Sequence, residues 1–288
     1  MSTYSTIIAG CMSWGDWGKR LSTEEMIAQI EITLEAGIST FDHADIYGDY
    51  TTETQFGKAF KQSNIAREDL QLISKCGIQL VGNTRKNTIG HYEYSKAYII
   101  RSVEQSLKNL QTDYLDLLLL HRPSPLMQAT EINEAISTLQ SEGKIIEFGV
   151  SNFTPSQMEL IETNQKISVN QIEFSLTENV AMHNGTLDAM QINKITPMCW
   201  SPLGNVFGSE TAQAIQIRLV LKKLCKKYNA TEDQLLLAWI CSHPAKMHPV
   251  IGTTNKTRIP NAQKAIEIQL ELEDWFELLV ASQGHAVP

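Results

Sequence analysis

Four ionisable residues of types that can move a proton together sit in three short segments. Asp42 and Tyr47 lie in Thr40-Phe41-Asp42-His43-Ala44-Asp45-Ile46-Tyr47-Gly48, Lys75 in Leu72-Ile73-Ser74-Lys75-Cys76-Gly77, and His121 in Leu117-Leu118-Leu119-Leu120-His121-Arg122-Pro123. A free phenol titrates near pH 10 and exchanges protons poorly at neutrality. A nearby ammonium favours phenolate, so Lys75 predicts a lowered Tyr47 pKa. Asp42 would keep that ammonium charged and in place, and His121 would orient a substrate oxygen or relay a proton. Together they suit general acid–base catalysis at a polarised carbonyl. Singly, a strand-end Lys or His is more often a satisfied structural group. The case rests on four such residues sharing one rim.

Asp42, Lys75 and His121 each end an apolar run, and Tyr47 follows the first of these by one short loop. Runs of strand length occur at 6–9, 38–41, 70–74, 114–120, 145–150, 169–174, 196–200 and 249–251. Helical patterns separate or follow them at 22–36, 53–61, 95–109, 130–141, 154–163, 184–193, 212–228 and 257–268, with two additional helices at 231–242 and 273–282. Ser22-Thr23-Glu24-Glu25 marks a helix start, Gly37 and Gly143 mark helix ends, and Thr154-Pro155 sets a cap before Pro. Eight strand–helix units without a linker predict an α/β fold of one domain over 1–288, a (β/α)8 TIM barrel with extra helices. Strand ends of such a barrel converge on one mouth. An open doubly wound sheet is the competing topology, but no Gly-x-Gly-x-x-Gly turn is present.

The chain has 288 residues, 42% of them hydrophobic, and a net charge of -8. Its densest basic patch, Lys222-Lys223 with Lys226-Lys227, lies along one amphipathic helix and reads as a solvated face. No nucleic-acid partner is expected. Neither a secretory signal nor an apolar run of the roughly 18 residues that span a bilayer is visible. Five scattered cysteines with no Cys-x-x-Cys pair fit neither a disulfide framework nor a zinc site, and a cytoplasmic location is expected. Asp42, His43, Asp45 and His121 have metal-ligand types. Strand neighbours face opposite ways, so Asp42 and His43 cannot share an ion, and no metal is expected.

Asp-x-Ala-Asp-x-Tyr-Gly, Ser-Lys-x-Gly, Leu-Leu-x-His-Arg-Pro, Gly-Val-Ser-Asn-Phe and Asn-Gln-x-Glu, in that order, resemble the aldo-keto reductases over nearly the whole chain. The Asp42–Asp45 and Ser74–Ile78 wording resembles a bacterial YdhF-like branch, and His43 stands where most relatives have Thr or Ser. His43 is read as a structural variant pointing away from the rim. The resemblance implies hydride transfer from a nicotinamide cofactor to an aldehyde or ketone. Tyr47 would protonate the oxygen, Lys75 and Asp42 would tune Tyr47, and His121 would position the carbonyl. It also implies that Ser151, Asn152 and Gln171 bind the carboxamide and that Trp200 stacks on the ring. Ser201 and Leu203 would follow the pyrophosphate.

Gly252, Thr253, Thr254, Asn255 and Arg258 resemble the adenosine-phosphate site, with Arg258 and free N–H groups at a helix start holding phosphate. This implies NADPH, with NADH the less favoured partner; Gly252 stands where animal reductases often carry Lys. Trp14 and Trp17, in the first βα loop, are expected pocket walls, with packing over the barrel as the alternative. Loops 11–20, 77–94, 122–128 and 204–211 would set specificity. Loop 77–94 is a candidate lid, with an ordinary surface loop as the competing reading. A small aldehyde or ketone is the expected substrate, and a monomer or weak homodimer the expected assembly. Two other readings stand beside this one. Lys75 could serve as the nucleophile of a Schiff-base aldolase, or the chain could be a cofactor-holding redox-sensor subunit that turns over slowly.

Overall fold

The computed structural model describes residues 4–162 and 165–287. Eight short strands form a closed, all-parallel barrel: β1 (Ile8–Gly10), β2 (Thr40–Asp42), β3 (Gln71–Cys76), β4 (Leu115–Leu120), β5 (Ile145–Ser151), β6 (Val169–Glu173), β7 (Thr196–Trp200) and β8 (His248–Ile251). Each pairs with its neighbours in sequence, and β8 closes the ring on β1 through Ile8 opposite Val250. Every strand expected from the sequence is present, with ends shifted by at most two residues.

Alternation along these strands positions the site. Ile8, Ile73, Leu117, Leu119, Val169 and Met198 form one buried cluster inside the ring. Their neighbours Phe41, Leu72, Leu118, Leu120 and Phe148 belong to the larger layer under the helices. Side chains two apart share a face. Asp42 therefore follows Thr40, Lys75 follows Ile73, and His121 follows Leu119 on the inward side. Gln171 follows Val169 and Trp200 follows Met198 in the same way. The barrel plug is a packed core whose last inward layer is chemical. Truncating Leu119 to Ala beneath it would cost roughly 2–5 kcal/mol.

The covering helices are α1 (Thr23–Glu35), α2 (Thr52–Gln62), α3 (Lys96–Leu110), α4 (Ala129–Ser141), α5 (Pro155–Ile161), α6 (Thr186–Asn193), α7 (Ala212–Tyr228), α8 (Glu232–Cys241), α9 (Arg258–Lys264) and α10 (Leu272–Gln283). Ser22 and Glu25 form a capping box on α1, and Thr154 and Gln157 form one on α5 ahead of Pro155. Gly37 and Gly143 follow α1 and α4 with φ of +82° and +68°, the left-handed turn their helices need to stop. α5 ends at Ile161, short of the expected end at residue 163, which lies outside the described residues. α9 is shorter than expected because Ala265–Glu267 tightens into a 3-10 turn.

Loop 77–94 is not wholly irregular, since Ile78–Gln79 pairs antiparallel with His91–Tyr92. α10 docks on α8 through two tryptophans. The rings of Trp239 and Trp275 stack with centroids 4.8 Å apart and planes 11° apart. Each indole N–H donates to the other's backbone carbonyl, at 3.1 and 3.0 Å. Among the described residues no helix is long and apolar enough to cross a membrane.

Candidate active site

Asp42, Tyr47, Lys75 and His121 meet at the C-terminal end of the barrel. The Lys75 side chain is completely buried. Its Nζ donates to Asp42 Oδ2 at 2.8 Å, to the His43 carbonyl at 2.8 Å and to the Tyr47 hydroxyl at 3.0 Å. Three N–H bonds thus meet three oxygens, which satisfies an ammonium. Burial acts to lower the Lys75 pKa, but Asp42 and Tyr47 beside it outweigh that and hold it above its ordinary value. The His121 ring meets the Tyr47 ring edge-on, with centroids 6.1 Å apart.

Burial of Tyr47 pushes its phenol above the usual tyrosine value, and the attraction of Lys75 does not reverse this. The lowered pKa expected from the sequence is therefore corrected: removal from water disfavours phenolate more than one ammonium favours it. Burial, reinforced by Lys75 and Arg122, holds His121 well below the ordinary histidine range, so its imidazole is neutral. Nδ1 of His121 is buried without a partner. A proton there would have no acceptor, which favours the tautomer protonated on Nε2.

His43 points away from the rim, as its alternation with Asp42 requires. Its ring packs 4.4 Å from that of Phe56 on α2 and is fully buried. Burial, with Lys75 nearby, drives its pKa down to about 3. The expectation for Trp14 is corrected. Trp14 is 1% exposed and packs on Phe41 and Phe56 between barrel and helix, because the first loop turns that ring inward under α2. Trp17 is 46% exposed, and its ring centroid lies 6.2 Å from that of Tyr47.

A second group adjoins the tetrad. Gln171 Nε2 donates to Asp42 Oδ1 at 2.9 Å. Ser151 Oγ donates to the Gln171 carbonyl at 2.9 Å and accepts from Asn152 Nδ2 at 2.8 Å. Trp200 Nε1 donates to Asn152 Oδ1 at 3.1 Å. Ser151, Asn152, Gln171 and Trp200 are thus one connected wall. Arg122 joins it, donating to Ser151 Oγ at 3.2 Å with its guanidinium 5.4 Å from the Trp200 ring centre.

Beyond that wall a cleft of about 890 Å³ runs over the ends of β7 and β8. Ser201, Leu203, Gly252, Thr253 and Arg258 line it. A Cβ built on Gly252 would meet nothing within 4 Å, so this backbone faces open space that a ligand can approach. Thr254 and Asn255 lie instead in an adjacent depression with Lys19 and Glu25.

The free N–H groups expected at the start of α9 are not free. Asn255 Oδ1 accepts from the Thr257 N–H at 2.9 Å and the Arg258 N–H at 3.2 Å. Asn255, three residues before α9, thus closes the turn that leads into the helix, and it is the Arg258 side chain that lines the cleft.

Several residues at the site were not singled out from the sequence. The His43 carbonyl, the third Lys75 acceptor, belongs to the backbone and has no sequence signal. Thr231, Glu232 and Asp233, at the start of α8, line the cleft. The helical pattern at 231–242 gave no hint that its first turn faces the cleft.

The described geometry has counterparts among known proteins. The family model described as "Aldo/keto reductase family" matches residues 6–279. An uncharacterized oxidoreductase, YcsN, of Bacillus subtilis is 40% identical over 99% of this chain and 96% of its own length. The oxidoreductase YdhF of Escherichia coli is 38% identical over 99% and 96%. A 6-dehydroglucose reductase of Agrobacterium fabrum is 37% identical over 98% and 96%. A thermostable aldo-keto reductase crystallised with the inhibitor epalrestat superposes with a TM-score of 0.81 at 28% identity, covering 96% of this chain and 95% of that one. With a matching model across nearly its whole length and a closed eight-stranded barrel, the chain belongs to the aldo/keto reductase family.

Proposed function

We propose that this protein reduces an aldehyde or ketone carbonyl to an alcohol with NADPH, using Tyr47 as general acid. The observation that carries this reading is the single buried ammonium of Lys75, bonded at once to Asp42 and to the Tyr47 hydroxyl. A protonated phenol beside a fixed cation is built to donate. As it gives up its proton, phenolate forms against Lys75, which stabilises that charge without reorganisation. Asp42 holds Lys75 charged, and Gln171 holds Asp42. Neutral His121 donates from Nε2 to orient the carbonyl oxygen.

The residues present fit a nicotinamide dinucleotide. Ser151, Asn152 and Gln171 offer amide and hydroxyl groups suited to a carboxamide, and Trp200 offers a flat apolar face. Ser201, Leu203, Thr253 and Arg258 line a cleft whose volume of about 890 Å³ would receive the pyrophosphate and adenosine. Thr254 and Asn255 would border its far end. Bound there, the reduced ring supplies hydride, the step no side chain can supply. Arg258 is exposed and makes no ion pair among the described residues, which favours a phosphorylated cofactor. A Klebsiella pneumoniae aldo-keto reductase that shares the fold, with a TM-score of 0.78, was crystallised with NADPH.

The 6-dehydroglucose reductase relative supports a small polar carbonyl compound as substrate. A Schiff-base aldolase would need Lys75 as a neutral amine. The raised Lys75 pKa and its three hydrogen bonds oppose that reading. The test is NADPH oxidation with a panel of small aldehydes, ketones and oxidised sugars, with Tyr47→Phe as control. Turnover by the native chain alone supports the proposal. Absence of both cofactor binding and turnover would sink it, and borohydride trapping of a carbonyl on Lys75 would put the aldolase in its place. Tight cofactor binding with very slow turnover would favour the redox-sensor reading.

A further inference from the structure

The turn that carries Tyr47 is strained and held from outside. Gly48, Asp49 and Tyr50 take φ of +62°, +55° and +68°, three left-handed residues in succession. L side chains disfavour that region, a bulky one most of all. Such backbone persists only where its surroundings over-determine it.

Loop 77–94 supplies those surroundings. Asp49 Oδ2 accepts from the backbone N–H groups of Asn83 at 2.8 Å and Thr84 at 3.3 Å. The Thr84 hydroxyl lies 3.0 Å from the Asp49 carbonyl and 3.1 Å from Asp49 Oδ1. Gly82 passes so closely that a Cβ there would lie 2.2 Å from Asp49 Oδ1. The next residue adds a second attachment: the Tyr50 hydroxyl accepts from the Leu80 N–H at 3.1 Å, and the Arg85 guanidinium lies 4.3 Å over its ring. Thr51 closes the turn by donating to the Gly48 carbonyl at 2.7 Å. Asp49 makes no ion pair among the described residues, so its carboxylate is committed to this loop.

We propose that Asp49 is a positioning residue: by pinning loop 77–94 to the turn, it fixes the Tyr47 hydroxyl at its contact with Lys75. This rests on the reading of Tyr47 as the general acid. Only Gly48 separates the pinned residue from Tyr47, and a glycine has no conformational preference that would hold the turn by itself, so the path of the backbone at Tyr47 is set by the pinned neighbour. Released from the loop, the turn relaxes toward ordinary backbone and takes the phenol with it. A role confined to anchoring a surface loop would leave the chemistry untouched.

The test compares Asp49→Ala, Asp49→Asn, Thr84→Val and the double variant Asp49→Ala/Thr84→Val in the full chain. Asn tolerates left-handed backbone and keeps one acceptor oxygen, so Asp49→Asn retains most activity. Asp49→Ala lowers kcat by roughly 10- to 100-fold, the scale of a small misplacement of a catalytic group. NADPH affinity changes little. The double variant is no worse than Asp49→Ala alone, because both changes cut one connection.

The Tyr47 ionisation, read by ultraviolet difference against Tyr47→Phe in the same background, is displaced from its native position in Asp49→Ala, because the phenol leaves the surroundings that set it, whereas a role confined to the surface loop leaves it unmoved. Native kcat in Asp49→Ala, with loop 77–94 loosened by hydrogen exchange, would overturn the proposal. So would losses that simply add in the double variant. If the native chain reduces no carbonyl at all, the hydride-transfer reading fails, and the ultraviolet titration still decides whether Asp49 positions the phenol.

Discussion

Gln171, a residue the sequence resemblance assigns to the cofactor, donates through Nε2 to Asp42 Oδ1 at 2.9 Å. The same side chain therefore braces the carboxylate that holds Lys75. Removing a donor from a buried carboxylate costs about 1–3 kcal/mol. Gln171→Leu is expected to lose stability on that scale in urea unfolding and to lower kcat as well as cofactor affinity. A variant as stable as the native chain would show that this bond contributes nothing.

Tyr47→Phe removes the proposed proton donor while keeping the ring. General acid catalysis is worth about 100- to 10,000-fold, and kcat should fall by that order with NADPH affinity retained. Measuring kcat and the cofactor Kd on one preparation checks both.

The pH profile follows from two displaced titrations. On the proposed mechanism Tyr47 must be protonated, and burial raises its pKa above the ordinary tyrosine value. His121 must be neutral, and its pKa lies well below the usual histidine range. The kcat plateau should therefore span neutral pH and reach into the alkaline range. A descending limb near the ordinary histidine value would contradict the buried, neutral state of His121.

Asp45 faces away from the tetrad and is buried behind β3. Burial first, then repulsion from Glu53, pushes its carboxyl up to about 7. The folded chain thus holds a proton that the unfolded chain releases above about pH 4. The stability this proton contributes is fully present below that pH and is lost as pH rises to about 7. Asp45→Asn should remove this trend and gain melting temperature over the native chain at pH 8, but not at pH 4. Keeping a carboxyl protonated so far above its ordinary range bounds the effect at roughly 4 kcal/mol. A native-minus-variant difference that does not change with pH would refute it.

Arg258→Ala should weaken NADPH binding about tenfold or more, the worth of a charge-assisted hydrogen bond, and NADH binding much less. Titration by tryptophan quenching reports both. Equal losses for the two cofactors would show that Arg258 does not face the extra phosphate.

Much of this site can be read from sequence because a barrel strand has only two faces. Lys75 and His121 end apolar runs at the inward parity, and the same alternation turns His43 outward against Phe56. β7 occupies the very residues its apolar run marks. Quantities that depend on the third dimension were not legible. The sequence offers Tyr47 an ammonium, but its burial arises only once two loops fold over it. Trp14 and Trp17 share one loop, and nothing in their spacing says which ring turns inward. Asn255 can bind phosphate or close the turn into a helix, and only the geometry shows that it closes the turn. Asp49 carries no motif, and its partners lie more than thirty residues away in the chain.

The tryptophan clasp between α8 and α10 bears on the order in which the protein becomes competent. α8 brings Thr231, Glu232 and Asp233 to the cleft wall, and α10, which clasps it, leaves the ribosome later. β8, which closes the ring, also emerges after α8. A chain grown as far as Trp200 already contains Asp42, Tyr47, Lys75 and His121, while the cleft still lacks the wall that α8 supplies. If the cleft holds the nucleotide as proposed, its capture would be a late event of synthesis.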